Sequence, residues 1–138
     1  MIVKDIRPAL YSFLMDDLNI SSIVGGARIY PVKLLQGVID PSIVYNRISG
    51  QGDHHSEGPS GLTRPRIQID CYATTHDQAV SLADKVKTRL DGYKGVMGLG
   101  QTAVNVQGVF FDSDRDDFDP DQKLYRVSRD YIIWFEER

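Results

Sequence analysis

The sequence predicts an α+β fold, a mostly antiparallel sheet of four to five strands with two main helices packed on one face. Three observations carry this. Apolar residues recur at helical spacing near the start: Ile6, Ala9, Leu10, Phe13, Leu14 and Leu18. Arg66 to Ala73 alternates strictly, with Ile67, Ile69, Cys71 and Ala73 on one side. A second amphipathic stretch follows, and after it come two long strand-like runs.

Asp5 suits the N-cap of the first helix, which places Pro8 at N3, where its missing N–H costs nothing. Asp16, Asp17 and Asn19 mark the far end, and Ile20 to Val24 adds one more turn. Gly25 and Gly26 stop it, because glycine takes positive φ cheaply. Arg28 to Pro31 reads as a short strand and Val32 to Asp40 as irregular chain. Ser42 to Ser49 is a longer strand. A glycine-rich loop over about 50–63, expected to be flexible, then exceeds the usual connection length, which marks it as either functional or mobile.

Thr75-His76-Asp77-Gln78 fits a capping box ahead of Ala79, Leu82, Ala83, Val86 and Leu90, and Gly92 suits the C′ position. Tyr93 to Gln101 reads as a flexible crossing. Thr102–Phe111 and Tyr125–Phe135 read as strands, joined by an acidic loop over about 112–123. On the second, Tyr125, Val127, Tyr131, Ile133 and Phe135 share a face, with Arg129 the exception. Ile132 and Trp134 lie on the other. One face packs on the helices and the other meets solvent or a partner.

At 138 residues the chain is expected to form one domain, 1–138, large enough to bury roughly two thirds of its unfolded surface. One cysteine excludes an internal disulfide framework. No apolar run approaches the ~20 residues that span a bilayer, so no membrane role is expected. The first residues lack a signal-peptide pattern, and a soluble cytoplasmic product is the expectation. A net charge of −3 argues against a general nucleic-acid binder.

Asp112 to Asp121 invites a calcium reading, because oxygen ligands at alternate positions suit Ca²⁺. The EF-hand pattern fails: its sixth position is Asp117 instead of glycine, and its twelfth is Lys123 instead of glutamate. His54 and His55 are adjacent in a glycine-rich loop, where neighbouring side chains point apart and do not chelate together. Cys71 lies on the inward face, unsuited to a nucleophile. No phosphate loop, dinucleotide fingerprint or nucleophile elbow is present. No enzyme activity, catalytic residue, metal or cofactor is therefore expected.

Several pieces, in order, carry a resemblance. They are the first helix with Ala9-Leu10, Val24 to Pro31, Pro41 to Ser49, Gly58 to Leu62, Arg66 to Ala73, and Ala79 to Gly92. Together they resemble the tail-completion proteins of siphophages and prophages, also called tail terminators or tail-to-head joining proteins. The resemblance implies a structural virion protein, assembled in the host cytoplasm, at the head-proximal end of a tail. It implies a self-assembled ring, commonly hexameric, bound to the tail-tube protein and to a head connector or stopper. DNA would pass through without sequence-specific binding. Candidate interface residues are Gly50, Gln51, Gly52, His54, His55, Gly58, Pro59 and Gly61 of the long loop, with Asp114, Asp116 and Asp117 of the acidic run. Two other readings compete: a protein-binding adaptor or regulator outside the virion, and a metal-dependent enzyme using the Asp-rich run.

Overall fold

The computed structural model describes residues 4–49 and 62–136. In chain order they form α1 (Ile6–Met15), α2 (Leu18–Ser21), β1 (Ile29–Pro31), β2 (Ser42–Ser49), β3 (Leu62–Thr63), β4 (Arg66–Ala73), α3 (His76–Leu90), β5 (Gly95–Met97), β6 (Val104–Asp119) and β7 (Leu124–Glu136). A single 3₁₀ turn, Gly100–Thr102, lies between β5 and β6.

The helix starts follow their caps. Asp5 accepts from the Arg7 amide, Asp17 from the Asn19 amide, and Thr75 from the Gln78 amide. The turn expected after α1 is thus a separate short helix with its own cap. The reciprocal half of the expected capping box is not made. The Gln78 side chain instead accepts from the Thr74 hydroxyl at 3.4 Å. Gly92 follows α3 at φ 79°, the left-handed geometry of a C′ residue.

The strands form one sheet of seven, in the order β1-β2-β4-β7-β6-β5, with β3 beside β7. Only β1 runs parallel to its neighbour. Among the described residues this is two or three strands more than the four to five expected. β3 lies at the end of the predicted long loop, and β5 inside the predicted glycine-rich crossing. Two or three residues give no readable alternation; pairing with β7 and β6 makes them strands.

The main core lies on one face of the sheet. Ile6, Leu10 and Leu14 of α1, and Leu82, Val86 and Leu90 of α3, cluster with Ile43, Ile67, Ile69, Cys71, Val127, Tyr131, Ile133 and Phe135. The sheet is curled, and α1 on its inner side touches the β5 end. The helix shares a cleft with Pro31 and Tyr45 at one end and Thr102 at the other. Ala9 also sits so close to Gly98 that a Cβ there would lie 2.8 Å from the Ala9 Cα.

The opposite face has a smaller core of Leu34, Val44, Tyr72 and Leu124. The irregular chain between β1 and β2 crosses this face as a strap and supplies Leu34 and Val38. The Val32 amide bonds the Tyr45 carbonyl at the strap's start, with Val32 held at φ 69°. Positive φ is costly for a β-branched residue, so the surroundings must enforce it.

Candidate assembly interface

Eight of the candidate residues, Gly50, Gln51, Gly52, His54, His55, Gly58, Pro59 and Gly61, lie outside the described residues. Asp114, Asp116 and Asp117 do not sit in a loop. They belong to β6, which continues to Asp119 and leaves only a short turn before β7. The acidic-loop reading over about 112–123 is corrected accordingly. Register with β7 holds this segment extended, pairing Asp114 with Arg129, Asp116 with Val127 and Asp117 with Arg126.

Strand geometry also separates these carboxylates. Successive side chains point to opposite faces. Asp116 therefore turns to the helix side and bonds His76 Nε2 at 2.8 Å, while Asp117 turns to the open side and pairs with Arg126. Asp114 lies 3.7 Å from Arg129, which also reaches Asp84 of α3 at 2.8 Å. Each carboxylate is thus engaged within the chain. Among the described residues no three His, Cys, Asp or Glu side chains come together to hold a metal.

The open face carries a polar lattice across β4, β7 and β6. Its rows, read by register, are Tyr72, Arg126, Asp117; Asp70, Ser128, Arg115; and Gln68, Asp130, Ser113. Asp70 and Asp130 are buried here, which demands compensation for two desolvated carboxylates. Gln68 donates to both oxygens of Asp70 at 2.8 and 3.0 Å, and Arg66 reaches Asp130 at 3.3 Å and also pairs with Asp112. The hydrogen bond to Asp112, more than any other influence, raises the Arg66 pKa and keeps that guanidinium charged. Arg115 lies over the lattice, donating to Gln68 at 2.9 Å.

Beyond the lattice, toward the start of β6, the face turns apolar. Phe110 pairs with Ile132, and Trp134 stands opposite Gly108 with the Arg64 guanidinium 5.2 Å from its ring centre. Phe110 is 55% exposed, and Ile48, three strands away on β2, is 46% exposed. The sequence anticipated two opposite aromatic faces on β7. The structure assigns Tyr131 to the core and Trp134 to the open side. Phe110 and Arg64, on the same open side, were not among the sequence candidates. The alternation that puts Phe110 opposite Ile132 was their available signal.

Burial pushes the Cys71 thiol far up, away from thiolate. His76, on the surface, bonds a carboxylate and faces the Tyr125 ring at 6.0 Å.

Comparison with known proteins decides the family. The family described as tail completion protein gp17 matches residues 8–136. The chain belongs to this tail-completion family. Its members are structural proteins of phage tails, which places this chain among virion components. A chain in the structure titled "Virion of native gene transfer agent (GTA) particle" has the same fold. It superposes with a TM-score of 0.68 at 15% identity, covering 92% of this chain and 91% of that one. No curated protein matches the chain.

Proposed function

We propose that this protein caps the head-proximal end of a tail tube and joins it to the head connector, acting as a ring of copies and not as a catalyst. The observation that carries the reading is the family match across nearly the whole chain. Support also comes from the open face of the sheet, where Asp112 and Asp117 are paired with Arg66 and Arg126 within the chain while Phe110 stays exposed. A ring of one subunit needs two different, complementary surfaces on each copy. The hexamer, the passage of DNA through its centre, and contacts with a tail-tube protein and a head connector or stopper belong to this reading. A gene-transfer particle would serve as well as an infectious phage.

The long loop is the arm of this assembly. Its anchors, Ser49 on β2 and Leu62 on β3, pair with Arg66 and Glu136. Deleting Gln51 to Gly61 should leave the fold intact and abolish joining. Disrupting the whole gene should give, by electron microscopy, filled heads and unattached tails, with intact particles restored by a complementing copy. Normal particles from the disrupted genome would refute the joining role.

A further inference from the structure

The β6–β7 hairpin carries unlike surfaces at its two ends. At the turn, Asp121 is exposed, and among the described residues its carboxylate takes no hydrogen bond or ion pair. Beside it the Asp119 carboxylate accepts from the Asp121 and Gln122 amides at 3.0 and 3.3 Å, which fixes the shape of the turn. Phe118 and Tyr125 stack edge to face at 5.0 Å and remain 45% and 37% exposed. Asp119 and Asp121 outnumber the exposed Lys123 there, so the turn end is net acidic as well as aromatic. At the far end, Phe110, Trp134 and Arg64 form an apolar surface with a cation upon it.

From Phe110 to Phe118 the strand runs roughly 25 Å at its usual rise. The two ends therefore cannot meet within one chain. Their charges are opposite, and each exposes aromatic surface that the other could cover.

The edge of β6 between them opposes the simplest alternative, a symmetric pairing of two β6 strands. Five of its eight residues from Asp112 to Asp119 are aspartates, so most antiparallel registers there set carboxylate beside carboxylate. Two of its amides are also engaged by side chains: Phe111 donates to Asp91 at 3.1 Å and Phe118 to Asp117 at 2.8 Å. Self-association through this hairpin is then left to its ends, and ends that differ give a head-to-tail contact.

We infer that the turn of the β6–β7 hairpin in one copy docks on the Phe110–Trp134–Arg64 surface of the next, with Asp121 facing Arg64. This inference rests on the ring reading and specifies its subunit contact. A contact of this kind has a charged rim, so it weakens as salt screens it.

The test is a charge exchange followed by native mass spectrometry and sedimentation over a concentration series. Arg64→Glu and Asp121→Arg should each raise the dissociation constant for self-association at least tenfold. A one-to-one mixture of the two variants should recover it, because each then presents the charge that the other lacks. Both substitutions are on the surface, and unchanged circular dichroism would show that folding is intact. Single variants that assemble like wild type, or a mixture that fails to recover, would overturn the contact while leaving the ring reading standing. A wild-type chain that stays monomeric at all concentrations would overturn the self-contact. The joining role would then be judged separately, by the particles of the disrupted genome.

Discussion

Arg129 of β7 and Asp84 of α3 meet at 2.8 Å, and this pair ties the helix to the sheet where the core would otherwise require an apolar residue. The Arg129 side chain is only 11% exposed and is shared with Asp114 of β6 at 3.7 Å. Removing the cation and removing its partners are therefore not equivalent. Arg129→Met keeps the packing and leaves two half-exposed carboxylates that water can satisfy, so it should cost no more than about 1–2 kcal/mol. Asp84→Ala with Asp114→Ala strands a nearly buried guanidinium and should cost about 3–5 kcal/mol. Urea titration of the three proteins checks the order, and equal costs would show that the pair matters only as packing.

The contact of Gly98 with Ala9 gives a steric prediction. Gly98 has φ 91°, and a Cβ there would strike the backbone of α1. Gly98→Ala should cost at least about 2–3 kcal/mol, since both the backbone geometry and the packing resist it. Gly26→Ala is the control, with φ 75° but no atom within 4 Å of the new methyl. It should cost only the left-handed penalty, about 1 kcal/mol. A similar loss at both sites would mean that α1 does not press on the β5 end of the sheet.

Both cores can be compared by one kind of substitution. Leu90 closes α3 in the main core, and Leu124 starts β7 in the smaller core under the strap; both are fully buried. Leu90→Ala should cost about 2–5 kcal/mol. Leu124→Ala should fall in the same range if the strap seals its side of the sheet, and near zero by denaturant titration if it does not.

Those two leucines also mark how far local sequence signals reach. Leu90 sits in a stretch whose period, Thr75 cap and Gly92 stop all agree, so α3 was readable almost to the residue. Strand β4 was readable for the same reason. Leu124 gave no such signal, because its neighbours Leu34, Val44 and Tyr72 come from three separate stretches. The acidic run failed differently. Aspartate is depleted in strands, and Asp112 to Asp119 lacks apolar alternation. What makes it a strand is β7 along its length and side chains from elsewhere in the chain, Arg66, His76 and Arg129, beside the carboxylates. Of the interface candidates, Trp134 was readable as one of two alternatives, but its partner Arg64 arrives from beyond the long loop.

A last prediction concerns acid. The Asp5 carboxylate caps α1 through the Arg7 amide at 2.9 Å and takes Arg7 Nε and Nη2 at 3.0 and 2.7 Å. The hydrogen bonds from the Arg7 side chain, the largest influence, hold its pKa below the ordinary 3.8 in spite of partial burial. A depressed folded pKa means that protons bind the unfolded chain more readily. The stabilisation is thus complete above about pH 4 and disappears as pH falls through the folded value. The pair is well exposed, so its share of stability is small, of the order of 0.2–1 kcal/mol. Asp5→Asn keeps an acceptor for the Arg7 amide but cannot titrate. It should match wild type closely near pH 7 and lose less stability on acidification. Asp5→Ala removes the cap and should cost about 1 kcal/mol near neutral pH. Urea titrations across the acid range separate the three proteins. An acid limb in Asp5→Asn as steep as that of wild type would show that other carboxylates account for all of the loss.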